Sequence, residues 1–173
     1  MSYRYFLALF PNAVERDQCA RVVTGLQPLL ALRGTCIDAS KLHLTLHFLG
    51  RYENENAALE TAVTTTCSWI EADRFTLTFD RASSLAARRA VAPCVLEPTV
   101  APPALRAFAD QLQAATGIAR DQEFRPHVTW LHSRDRIAIP VNIAAMTWSC
   151  ESFSLVRSAP DRYYRILRTW RLL

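Results

Sequence analysis

The sequence predicts an α+β fold: one bilobal domain over residues 1–173, with two pseudo-symmetric antiparallel-sheet lobes, helices outside and a central cleft carrying one His-x-Thr motif per lobe. Three observations carry that expectation. Segments of strand and helix periodicity follow in the order strand, helix, strand, helix, strand, strand, helix, strand, strand, strand. Two of the strands, near residues 42–49 and 126–132, repeat the pattern His-apolar-Thr-apolar, and a helix precedes each. No low-complexity tract or linker separates the halves.

The elements can be justified in turn. Residues 3–10 read as a first strand, closed by Pro11 with Asn12 as N-cap of a helix over 13–32, where Val22, Val23, Leu26, Leu29 and Leu30 share a face. The first motif strand, Leu42-His43-Leu44-Thr45-Leu46-His47-Phe48-Leu49, ends at Gly50. Leu59, Ala62, Val63 and Ile70 suggest a second helix, weakened by Thr64-Thr65-Thr66. Phe75–Phe79 alternates as a strand, and Ala90–Leu96, interrupted by Pro93, is its partner. Pro102-Pro103 opens a third helix that Gly117 caps. The second motif strand follows, and two more strands are expected near 151–157 and 163–170.

Side chains two apart share one face of a strand. His43 and Thr45 therefore project together, as do His127 and Thr129, while Leu44, Leu46, Val128 and Trp130 turn to the core. By the same alternation His47 shares the face of His43, Arg125 shares that of His127, His132 does not, and Phe48 packs inward. Two imidazoles titrating near neutrality can act as an acid and base pair. That division suits phosphodiester hydrolysis, in which a neutral imidazole deprotonates water and a protonated one supplies the leaving oxygen. Thr45 and Thr129 would then hold the non-bridging oxygens.

Composition narrows the alternatives. Fifty per cent of residues are hydrophobic and 21% charged, with a net charge of +4 that permits a phosphate-bearing partner without requiring one. The five scattered cysteines lack C-x-x-C spacing, which argues for a reducing cytoplasm over a disulfide frame. No glycine-rich phosphate loop, signal peptide or apolar run of membrane length is present. A four-histidine zinc site is disfavoured because His47 and His132 stand at different offsets from their motifs. Phe10, His47, Arg125 and His132 remain candidates to line the cleft, and Arg157, Arg162, Arg165 and Arg168 read as a solvated basic face.

These motifs bring the chain to a known group of enzymes. Tyr5-Phe6-Leu7-Ala8-Leu9, the His43–Gly50 block, Phe124-Arg125-Pro126-His127-Val128-Thr129 and the closing 164–170 strand resemble the 2H phosphoesterases, in particular their RNA 2′,3′-cyclic phosphodiesterase (2′-5′ RNA ligase-like) branch. The resemblance implies a metal-independent hydrolysis of RNA or nucleoside 2′,3′-cyclic phosphate ends to 2′-phosphomonoesters, without a cofactor, with 2′-5′ ligation as a reverse reaction. It implies His43 as proton donor and His127 as proton acceptor. It also implies a monomer acting on RNA ends, away from membranes. Members often carry an arginine where this chain has His132, which leaves room for another substrate, such as a 2′-5′ oligonucleotide or a cyclic nucleotide-sugar phosphate, or for a non-catalytic RNA-end binding module.

Overall fold

Leu44 and Val128, the residues that follow His43 and His127, face each other across an antiparallel pair, and the fold is arranged around that bridge. The structure, a computed structural model, describes residues 2–86, 90–159, 161 and 163–173. In chain order the elements are β1 (Tyr3–Leu9), α1 (Ala13–Leu29), β2 (Gly34–Cys36), a 3₁₀ turn (Ala39–Lys41), β3 (Leu44–Tyr52), α2 (Ala57–Cys67), β4 (Phe75–Ser84), β5 (Ala92–Glu97), α3 (Pro103–Thr116), β6 (Val128–Ser133), β7 (Val141–Cys150), β8 (Ser152–Ser158) and β9 (Tyr164–Arg171).

The strands form one nine-stranded sheet in the order β7-β4-β5-β6-β3-β1-β8-β9, with β2 added beside β6. Each half is a run of four antiparallel strands, and the halves mirror one another: β6-β5-β4-β7 on one side, β3-β1-β8-β9 on the other. The motif strands β3 and β6 are innermost, joined through Leu44–Val128. The expected α+β architecture with paired antiparallel lobes is therefore observed.

One face of the sheet carries the helices. Tyr5, Leu7, Leu9, Leu44, Leu46, Val128 and Trp130 are buried there together with Leu26 of α1 and Leu105, Phe108 and Leu112 of α3. The helices exchange sides: α1, which follows β1, packs on β7, whereas α3, which follows β5, packs on β3. That exchange ties the two halves to one apolar core. α1 begins with a reciprocal cap between Asn12 and Glu15. The second carboxylate oxygen of buried Glu15 accepts the Ser149 N–H of β7 at 2.6 Å, so the cap also fixes the helix on its strand.

The opposite face is the cleft floor. On it Phe6, Ala8 and Val156 form a separate small apolar cluster, flanked by Phe10 and Tyr164. β2 and β7 are strands that periodicity missed. β2 is three exposed residues long, and Gly34 brings it so near β6 that a Cβ there would run into the His132 carbonyl. β7 buries only Met146, Trp148 and Cys150 of its ten residues, so its apolar signal is diluted by exposed alanines. β4 runs five residues past the Phe75–Phe79 segment read from sequence, and α1 stops at Leu29 instead of 32. The reading of Arg157 as solvated is corrected: it is 6% exposed and ion-paired with Glu55 and Glu60. Arg165 and Arg168 are exposed as expected, and Arg162 lies outside the described residues.

Candidate active site

The two motifs build their histidines in one way. His43 Nδ1 lies 2.7 Å from the Lys41 carbonyl and His127 Nδ1 lies 2.6 Å from the Arg125 carbonyl, in each case two residues back. A carbonyl can only accept, so both rings carry their proton on Nδ1 and keep the lone pair of Nε2 for the cleft. Continuing the Leu44–Val128 register one step either way sets His43 across from Thr129 and Thr45 across from His127. The four polar side chains thus occupy one patch of the cleft face, with the histidines on a diagonal that in regular pairing spans about 7–8 Å, somewhat less between Cβ atoms. All four are half-buried, whereas Leu44 and Val128 between them are fully buried.

Past the threonines the strands stop alternating, and they do so identically. Ala8 pairs with Thr45 but Leu7 with His47, leaving Leu46 as an extra residue; Val95 pairs with Thr129 but Cys94 with Leu131, leaving Trp130 as the extra one. Each is a β-bulge, which reverses the faces of the residues that follow it, in β3 as far as a second irregularity at Leu49. Three sequence-based placements are corrected by this. His47 does not share the face of His43 but turns inward and is 1% exposed, in the place that Leu131 fills in the other motif. Phe48 is not a core residue but emerges at 37% exposure. His132 returns to the face of Thr129 and is exposed, paired in register with Thr35 of β2 and Pro93 of β5. Trp130 is buried as expected.

The surroundings of the histidines differ. His43 stacks on Phe6 at 4.9 Å between centroids, with Phe10 at 5.7 Å and Tyr164 edge-on at 5.4 Å. Burial among these rings lowers its pKa to about 4; the charges of His127 and Arg4 add to that, and the Lys41 carbonyl opposes it. Phe10, a cleft-lining candidate, is therefore part of the His43 wall. Its counterpart beside His127 is Glu97, since Leu96 pairs with Val128 as Leu9 pairs with Leu44. Glu97 is 2% exposed and accepts from Arg125 Nε at 2.8 Å and Arg81 Nε at 3.1 Å, while Arg125 Nη2 also donates to Ser83 at 3.2 Å. Arg125 is thus clamped by its side chain while its carbonyl holds His127. Burial lowers the His127 pKa as well, with the Arg125 charge acting in the same direction and the Arg125 carbonyl and Glu97 opposing.

Sequence reasoning missed Glu97 and Arg4. Alternation puts Glu97 on the face of Val95, but only the pairing of β5 with β6 brings it to His127. Among the described residues no three His, Cys, Asp or Glu side chains gather in a metal-binding group, and no helix is long and apolar enough to cross a membrane. All five cysteines are free.

The sequence profile of the 2′-5′ RNA ligase superfamily matches residues 14–162. The chain belongs to this superfamily. Among solved structures, E. coli LigT in its apo form is 27% identical and superposes with a TM-score of 0.80, covering 99% of this chain and 98% of its own. LigT complexed with 3′-AMP gives 25% identity and a TM-score of 0.81 over 99% of both chains. TT0787 of Thermus thermophilus, at 21% identity, a TM-score of 0.72 and 97% of both chains, shares the fold. No protein in a search of curated sequences matches. As a 2′-5′ RNA ligase superfamily member the chain is of the phosphoesterase kind.

Proposed function

We propose that the protein hydrolyses nucleoside or RNA 2′,3′-cyclic phosphate ends to 2′-phosphomonoesters through His43 and His127, without a metal. The observation that carries this is the matched pair of Nδ1-anchored imidazoles on one cleft patch, each with a threonine beside it. That a superfamily relative has been crystallised with 3′-AMP supports a nucleotide in this cleft. Arg4 near His43 and Arg125 near His127 give the patch a positive field for the phosphate.

Water attacks phosphorus while His127 Nε2 takes its proton; the P–O3′ bond breaks, and His43 Nε2–H protonates the departing 3′-oxygen. Glu97 favours this order, because its carboxylate offsets part of the Arg125 charge that disfavours the His127 imidazolium as the proton arrives. His43, among aromatic rings, holds a proton poorly and so gives it up readily once the bound phosphate anion has favoured its imidazolium. Thr45 and Thr129 donate to the non-bridging oxygens as charge builds on them.

Purified protein with a nucleoside 2′,3′-cyclic phosphate in EDTA tests the reading: accumulation of 2′-phosphate supports it. Loss of turnover on chelation, or binding without turnover, contradicts it. Glu97→Gln removes a charge that favours the His127 imidazolium while leaving its Nδ1 bond to the Arg125 carbonyl, so the plateau rate falls by less than about tenfold, under roughly 1.4 kcal/mol. Because the His127 pKa falls with it, the acidic limb of the rate profile moves to lower pH. A profile that keeps its position would remove Glu97 from the mechanism.

A further inference from the structure

The mirror relation between the halves fails at one place. β6 is flanked beyond the motif by β2, through Gly34–Ser133 and Cys36–Leu131. Among the described residues no strand takes the matching place beside β3. What stands there is a groove of about 350 Å³, running from Thr45 and His127 to Gly50, with residues 118–125 as its far wall.

Two polar side chains lining this groove have buried atoms without partners. His47, 1% exposed, makes no well-formed hydrogen bond through either ring nitrogen, only a weak interaction with the Ile118 backbone. Burial brings its pKa down to about 4, the nearby Arg120 cation adding to this and the Ile118 backbone opposing, so at neutral pH the ring offers one donor and one acceptor. Arg120 donates through Nη1 to Asp110 at 2.7 Å and lies over the Phe124 ring at 5.2 Å, but its Nε and Nη2 are buried and unpartnered. Buried polar groups are nearly always satisfied, and unsatisfied ones ask for a reason.

Nε and Nη2 form one edge of the guanidinium, a planar two-donor fork that requires two adjacent acceptors. A phosphate supplies them, but it can use only the donor of a neutral imidazole and gains nothing from the apolar flanks of Leu46, Phe48, Ile118 and Phe124. A flat heterocycle matches the donors and the flanks together. No backbone-to-backbone hydrogen bond among the described residues ties 118–124 to β3, so the outward shift needed to reach the covered nitrogens would cost only side-chain contacts, the His47–Ile118 interaction among them.

We propose that this groove is the nucleobase subsite of the phosphodiesterase centre, where the Nε–Nη2 edge of Arg120 reads two neighbouring acceptors of the base. It rests on the phosphodiesterase reading and adds a selectivity. Guanine offers O6 and N7 side by side and cytosine O2 and N3, whereas adenine places an amino group beside N7 and uracil separates its two carbonyls by N–H. Guanosine and cytidine ends are therefore preferred.

The test compares kcat/KM for the four nucleoside 2′,3′-cyclic phosphates and the 7-deazaguanosine analogue, in EDTA, with the wild type and Arg120→Lys. Guanosine and cytidine should exceed adenosine and uridine by about five- to hundredfold. The 7-deaza analogue, which lacks N7 and needs no variant, should forfeit guanosine's advantage, and Arg120→Lys should flatten the ranking. Turnover of all four at equal rates overturns the subsite while leaving the phosphodiesterase reading intact. An equal loss on every base in Arg120→Lys also overturns it, since the fork would then hold phosphate. Absence of turnover on any of them overturns the parent reading, and the subsite with it.

Discussion

Alanine at either His43 or His127 is expected to lower turnover of a 2′,3′-cyclic nucleotide by about 10²- to 10⁴-fold, and the double variant to be scarcely worse than the more damaged single one. Both rings serve one proton relay, so once either end is removed the other has no partner step to assist. The structure gives no reason for these changes to unfold the protein. Each ring is half-buried on the cleft face, and the hydrogen bond it loses is to a carbonyl of its own segment. KM should change little compared with kcat, because the threonines and the flanking arginines remain to hold phosphate. A single variant with wild-type rates would take that histidine out of the chemistry. A double variant whose losses multiply would show the two acting independently.

The second large effect is on stability in acid, and His47 is its source. Its pKa is about 4 in the folded protein against 6.5 for the free side chain. The unfolded chain thus binds the extra proton between those values. The associated stability is fully present above pH 6.5 and is lost as pH falls towards 4. For a side chain 1% exposed the contribution is on the order of 3 kcal/mol. The mirror position in the second motif holds Leu131, fully buried, so His47→Leu is expected to fit without rearrangement. Urea unfolding should find the variant at least as stable as wild type at pH 7, because two unsatisfied ring nitrogens are gone. Between pH 7 and 4.5 it should lose markedly less stability, although His43 and His127 still contribute acid sensitivity. Equal acid sensitivity in the two proteins would contradict this account of His47.

The same residue shows where sequence reasoning succeeds and where it stops. Alternation turned Leu44, Val128 and Trp130 to the core and set His43 with Thr45, and His127 with Thr129, because those positions precede the bulges or, for Trp130, form one. It failed at His47, Phe48 and His132, which follow them. A bulge is invisible in composition, since the extra residues Leu46 and Trp130 are as apolar as their neighbours. The repeat itself held the clue: the pairs Leu46-His47 and Trp130-Leu131 align only if His47 occupies a leucine's place. β7 was lost among alanines, and β2 is too short and exposed to carry a pattern. Glu97 and Arg120 could not be found from spacing at all, because their importance lies in pairings made across the sheet and across the groove wall.

The claim on which the rest depends is that His43 and His127 close on one phosphate. The most direct measurement is a ¹⁵N NMR titration of the imidazole nitrogens with a nucleoside 2′-monophosphate in EDTA. The account predicts that the Nε2 signals of both rings shift along one shared saturation curve, and shift further than their Nδ1 signals. Movement of only one ring, or of the two with different affinities, would contradict it.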